Sequence, residues 1–374
     1  MTLIRISALI TLSALFLPAQ TSKPDEVVLD MVVKDKRGKP LKDLKAGDVE
    51  ITDNGAKQTI TSFRLIDGPN MVADGASKPL DPIHQSRLVT LVLEQLGEDG
   101  RRLAKQAAND LLKSATAQNV YFAVVGINQQ MILIQPFTTD RAALKKAIDE
   151  ATSGTPMIRF VEQSEAHKTA LKNLPATASD VDRKLAQVML DMVRDPMSTT
   201  DGQRATIFSL LSLIRGQGSM PGRKTMLYLS TGLWLPPNLD EPFRSIMSTA
   251  NRANVAIYTV DARGVMTYSQ NQGVSSAIRD AARDTASEIT NTGQQSASIG
   301  QIMASDRVEQ GMRNNVQLPI REMAEGTGAF IIADTNSYGK PMQQIADEIN
   351  TYYEAVYNPG ITNYDGQFRK TEVK

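Results

Sequence analysis

The chain has 374 residues with 41 basic and 41 acidic side chains, so no net charge draws it toward a polyanion or an anionic membrane surface. Hydrophobic residues make up 41%, enough for a substantial core, while an aromatic share of 5% argues against a stacking platform for single-stranded nucleic acid. Cysteine is absent, which excludes disulfides, thiolate metal sites and a lipid-bearing cysteine.

Residues 1–20 read as a secretory signal peptide: "MTLIR" carries the positive charge, "ISALITLSALFL" is apolar, and "PAQTSKPDE" is a small and polar exit. The apolar run is short for a membrane span, so an uncleaved anchor is the weaker alternative. The mature chain is expected in the periplasm or outside the cell. Residues 25–68 predict a small β unit. In it "EVVLDMVVKD" and "VEITD" are strands, and Asn54-Gly55 is a tight turn into "KQTITSFRLI". Residues 69–86 are rich in turn formers and predict a linker.

From Arg87 strands and helices alternate. "LVTLVLE" is an apolar run of strand length, and Leu103, Ala107, Ala108, Leu111 and Leu112 then follow at helical spacing. "VYFAVVGI" turns through "NQQ" into "MILIQPF", a connection so short that it permits only antiparallel pairing. Thr139-Asp140 caps a further helix. "PGRKTMLYLSTG" and "ANVAIYTVDARG" predict buried strands joined by helical "EPFRSIMSTANRA". A helix stopped at Gly326 then leads to a strand, and "KPMQQIADEINTYYEAVY" is a last helix entering a strand. Such successive units imply an α/β fold with a doubly wound, mainly parallel sheet and one antiparallel edge strand.

Residues 155–200 predict a helical insertion, and the polar stretch 265–315 a second one, partly disordered, inside a domain spanning 87–350. Residues 351–374 have β character and are expected to return to the N-terminal unit, which is too small to stand alone.

Several stretches in this order resemble the von Willebrand factor type A domain, in the exported form common in acidobacteria. They are "VVKDKRGKPLKDLKAGDVEITDNGAKQTITSF", "GRRLAKQAANDLL", "IQPFTTDRAALKKAI", "PGRKTMLYLSTG", "NRANVAIYTVDARG", "MAEGTGAFI" and "YYEAVYNPG" with the late "YDGQFRK". The resemblance implies a six-stranded Rossmann-like domain that binds proteins, commonly through a metal-ion-dependent adhesion site. That site takes Asp-x-Ser-x-Ser at the end of the first strand, a Thr from a loop before a later helix, and an Asp ending the fourth strand.

This chain departs from the pattern at each matched position. Glu94 stands for the first Asp, Leu96 and Glu98 for the two serines, and Thr231 for the last Asp. Thr199, Thr200 and Thr206 compete for the Thr position. Leu96 has no donor atom, and the length of Glu98 displaces its carboxylate, which Ca²⁺ tolerates better than Mg²⁺. The site is therefore expected to be degenerate, with no cofactor. If weak Mg²⁺ or Ca²⁺ binding persists, Glu94, Glu98 and Thr206 would carry it. Glu98 and Asp99 otherwise simply favour a helix N-terminus.

The functional expectation is protein binding, to an unidentified partner of the cell envelope, through the C-terminal edge of the sheet. Glu94, Glu98, Thr231 and Trp234 are the candidate contacts. Trp234 lies in "LSTGLWLPP", where it is either a partner anchor or folded back under the loop. The competing class is a hydrolase using Glu94 and Asp261 on the same edge, although no motif assigns acid and base roles. The dinucleotide glycine pattern, the phosphate loop, G-x-S-x-G and H-E-x-x-H are absent, and His84 and His167 are expected to be solvated.

Overall fold

A computed structural model describes residues 26–35, 38–73, 76–94, 96–117, 119–193, 202–265, 316–359 and 371–374. The expected signal peptide, most of the polar insertion, Thr199 and Thr200 lie outside the described residues. Among the described residues no helix is long and apolar enough to cross a membrane.

The main body is a six-stranded sheet. Its strands are β7 (Arg87–Glu94), β8 (Val120–Ile127), β9 (Met131–Thr138), β10 (Lys224–Ser230), β11 (Val255–Asp261) and β12 (Ile331–Ile332), in the order β12-β11-β10-β7-β8-β9. All neighbours are parallel except β8 and β9, which the three-residue turn forces antiparallel. The central strands β7, β10 and β11 are buried along nearly their whole length. Their near-continuous apolar runs follow from helices covering both faces.

On one face lie α2 (Glu98–Ser114), α3 (Arg141–Ala151) and α9 (Gly339–Asn350). Leu103, Ala107 and Leu111 of α2, Leu144 and Ile148 of α3, and Met342 and Ile345 of α9 share one core with β7 and β8. The helix α3 starts where Asp140 accepts hydrogen bonds from the N–H groups of Ala142 and Ala143. On the other face are α5 (Asp180–Met192), α6 (Gly202–Gln217), α7 (Asp240–Ala253) and α8 (Gln317–Glu325), whose core includes Val188, Ile207, Leu210, Phe243 and Ile320. Gly216 makes the α5–α6 contact possible, since a Cβ there would overlap the backbone of Met192. The helix α4 (Val161–Lys172) packs on β9, where Ser164 Oγ accepts from Leu133 N at 3.0 Å. The segment expected as a helical insertion thus contributes α4 and α5, and α6 completes that layer.

A smaller β unit gathers both ends of the chain. One sheet orders β1 (Val27–Met31), β13 (Thr351–Tyr357), β4 (Ile60–Asp67), β5 (Asn70–Ala73) and β6 (Ala76–Pro79) as β1-β13-β4-β5-β6. The other orders β14 (Thr371–Val373), β2 (Ile51–Asp53) and β3 (Ala56–Lys57) as β14-β2-β3. Asn54 and Gly55 at φ 47° and 80° form the left-handed pair that a two-residue hairpin needs. The strand β13 leaves α9 without a loop and inserts between β1 and β4, so residues separated by the whole main body share a core of Met31, Ile51, Leu65, Tyr353 and Tyr357.

The stretch 69–86 is not a plain linker. Gly68 at φ 58° and Pro69 turn β4 into β5, β6 extends the sheet, and α1 (Pro82–Gln85) follows under an Asp81 cap. Gly, Pro and Asp mark hairpin turns as readily as linkers, so composition alone did not separate the two.

Candidate functional site

Parallel strands deliver their C-terminal residues to a common rim. At that rim the structure places Glu94 at the end of β7, Ser230 and Thr231 at the end of β10, and Asp261 at the end of β11. The N-termini of α2 and α8 close it from either side. Gly100 allows α2 to approach, because a Cβ there would sit 3.2 Å from Thr231 Cγ2 and 3.4 Å from both Leu96 Cβ and the carbonyl oxygen of Ala262.

The Glu94 carboxylate is held by three hydroxyl donors. Thr206 Oγ1 donates to Oε1 at 2.9 Å, while Tyr228 OH and Ser230 Oγ donate to Oε2 at 2.9 and 2.5 Å. Thr206 projects from the first turns of α6 and faces Glu94; Thr199 and Thr200 lie outside the described residues. Burial and the adjacent carboxylate both push the Tyr228 phenol well above its ordinary pKa, so it stays a donor. The Asp261 carboxylate is likewise engaged. Arg263 Nε and Nη2 donate to it at 2.8 and 2.5 Å, its backbone N–H at 3.1 Å, and Gln317 Nε2 from α8 at 2.9 Å. That hydrogen-bonded pair holds the Arg263 guanidinium above its usual pKa, against the opposing effect of burial.

These side chains do not fit a Mg²⁺ cage. Both oxygens of Glu94 already accept hydrogen bonds, Leu96 is a buried alkyl group in a ligand position, and Glu98 is exposed on the first turn of α2. Octahedral coordination at about 2.1 Å would require the hydroxyl donors to be displaced or turned. Among the described residues no group of three or more His, Asp or Glu is placed to hold a metal ion.

Sequence reasoning placed Glu94, Thr231 and Asp261 on this rim but missed Tyr228, Ser230, Arg263 and Gln317. A signal for the first two was present: Tyr228 and Ser230 lie two apart in β10 and therefore face the same side as a strand's period of two requires. Arg263 stands two residues past Asp261 in "DARG". Gln317 carries no local signal, since only the packing of α8 brings it there. His84 bonds to its own cap, Asp81, and His167 is half-buried on α4, so neither joins the rim.

The rim also exposes apolar side chains. Leu233 is buried and its N–H donates to Val316 O at 2.8 Å, which turns the next side chain, Trp234, outward to 46% exposure. Val265 after β11 and Leu318 on the first turn of α8 are 60% and 42% exposed. These are three of the five large apolar side chains exposed among the described residues.

No protein-family model matches this sequence, and no curated protein does. Among solved structures, the chain is similar to a von Willebrand factor type A protein from Catenulispora acidiphila at 10% identity and TM-score 0.26, covering 74% of this chain and 50% of that one. It is similar to the PilB minor pilin from Streptococcus sanguinis at 9% identity and TM-score 0.25, covering 66% of this chain and 65% of that one. It is also similar to the von Willebrand domain of the type V pili tip protein Mfa5 from Porphyromonas gingivalis at 11% identity and TM-score 0.24, covering 71% and 95%. The chain thus spans less than two thirds of the length of the first two.

Proposed function

We propose that this chain is an exported protein-binding module of the von Willebrand type A kind, which grips an envelope partner through the C-terminal rim of its main sheet without a divalent ion. The observation that carries the reading is the outward Trp234 beside the buried Leu233. A half-exposed tryptophan on an ordered loop is a large, nearly rigid anchor, the kind of side chain on which binding energy concentrates. Val265 and Leu318 extend the apolar character of the same edge. Thr231 and Glu98 lie at that rim and would border the contact. Glu94 has a supporting role in this reading: it ties β7, β10 and α6 together beneath the surface.

The hydroxyl and guanidinium partners favour binding over hydrolysis. A carboxylate acting as acid or base needs a face open to substrate, and the acceptor oxygens of Glu94 and Asp261 are engaged from within. We propose no catalytic activity for this rim.

The test is affinity capture from the native envelope with the wild-type chain and with Trp234→Ala. The expected result is a partner retained by the first and lost by the second. Equal recovery would remove Trp234, and the rim with it, from the interaction. Calorimetric titration with Mg²⁺ should show no tight binding, and a micromolar site would overturn the metal-independent part of the reading.

A further inference from the structure

We propose a second docking site, at the opposite end of the molecule: the cleft along the free edge of β1 accepts an extended peptide segment of another polypeptide, which adds to the five-stranded sheet as one more strand. This inference does not depend on the rim.

Among the described residues β1 ends its sheet. It pairs with β13 from Val27↔Tyr357 to Met31↔Tyr353, and alternate residues on its other side direct N–H and C=O groups outward. A cavity of about 810 Å³ runs along that side and takes in every residue from 28 to 33. Its opposing wall includes Thr371 and Val373 of β14, itself the end strand of the three-stranded sheet. Among the described residues, two strand edges without a further partner strand therefore border one cleft. Its length suits a strand, since five residues of β1 extend about 17 Å.

The side chains point the same way. Val28 and Val373 are 53% and 44% exposed, and they are the other two large apolar side chains exposed among the described residues. The floor supplies Asn254, a left-handed residue at φ 54°, whose Nδ2 donates to Asp30 Oδ2 at 2.5 Å. The charged residues lining the cleft are Asp30, Asp48, Arg223 and Lys374, which balance. A polyanion has nothing to gain there, whereas a strand offers backbone groups and alternating apolar side chains. That is the chemistry of strand addition.

Along β1, Val27, Leu29 and Met31 face the small core while Val28 and Asp30 face the other side. The matching probe is a labelled heptapeptide Val-Thr-Val-Lys-Val-Thr-Val, titrated into the full chain by fluorescence anisotropy. Saturable binding is expected, with slowed amide exchange at residues 27–31. Methylating alternate peptide nitrogens should weaken binding by roughly tenfold or more, because it removes main-chain donors. Trp234→Ala should bind the peptide as wild type does, which separates this site from the rim.

Three results would overturn the proposal. They are no saturation by about 1 mM peptide, an affinity too weak for a specific site; equal binding of the methylated peptide; or a dimer in sedimentation that Val28→Asp converts to monomer, meaning that a second copy fills the cleft.

Discussion

The two ends of the six-stranded sheet treat buried charge differently. At the C-terminal rim Glu94 and Asp261 are satisfied by groups of the main body itself, Thr206, Tyr228 and Ser230 for one and Arg263 and Gln317 for the other. At the N-terminal end the partners come from the β unit or from distant chain. Glu348 of α9 accepts from Lys34 and from Tyr258, Asn254 donates to Asp30, and Arg87 donates to the Gly68 carbonyl at 3.1 Å with its guanidinium 5.6 Å from the Tyr352 ring. The rim's network fixes loops and leaves its apolar side chains outside. The opposite network fastens one folding unit to another. Polar groups at the first end serve presentation, and at the second they serve assembly.

The comparison breaks most sharply at Glu348. Its replacement by alanine removes the acceptor of the buried Tyr258 hydroxyl, which keeps only the Arg223 donor, and frees Lys34, so urea denaturation should register a loss of about 3 kcal/mol. The β unit should loosen first, seen as faster amide exchange in β13. If unfolding stayed fully cooperative with no such local change, the assembly role would be wrong.

At the rim, Glu94→Ala leaves the buried Tyr228 hydroxyl without its acceptor, while Thr206 and Ser230 keep the Gly202 and Gly232 carbonyls, and should cost about 2 kcal/mol, with Glu94→Gln closer to wild type because the amide oxygen still accepts. A neutral outcome for the alanine variant would mean that Glu94 does not tie β7 to α6.

A pH effect separates the ends further. Burial raises the Asp30 carboxyl from 3.8 to about 6, with the Asn254 hydrogen bond opposing. The folded chain thus prefers the protonated form, and this group's contribution is full below pH 3.8 and disappears as pH rises through 6. Burial also lowers Lys224 from 10.5 to about 8, so its contribution is present above 10.5 and disappears as pH falls through 8. Asp30→Asn should therefore stabilise the chain by about 1–2 kcal/mol at pH 7 and by little near pH 4, measured as denaturant midpoints at both. No pH dependence in that difference would refute the buried position of Asp30.

The smallest expected stability effect belongs to Trp234→Ala, within about 0.5 kcal/mol, since an outward side chain contributes little to the core. Its effect should appear in partner capture alone. A larger loss of stability would place Trp234 in the packing rather than on the contact surface.

Much of the fold was legible from local pattern. Alternation, apolar run length and helix spacing located β7, α2, β8 and β9, because side-chain period and burial are coupled within a single element. The turn at Asn54-Gly55 was legible for the same reason: the left-handed backbone it needs favours those two residues. Trp234 could be named from sequence as a candidate, yet whether it pointed out or in depended on Leu233 meeting Val316, more than 80 positions later in the chain.

By itself the sequence determined the periodicity of its elements, the parallel order they require, and the absence of an ordinary metal ligand at Leu96. Only tertiary structure decided that Thr206 meets Glu94, that Gln317 reaches Asp261 from α8, and that β5 and β6 extend a sheet where turn residues suggested a linker. The physical reason is range. Backbone propensity and side-chain period act over a few residues, whereas a buried carboxylate must find its donors wherever packing brings them, and strands from opposite ends of the chain join only after the body between them has folded.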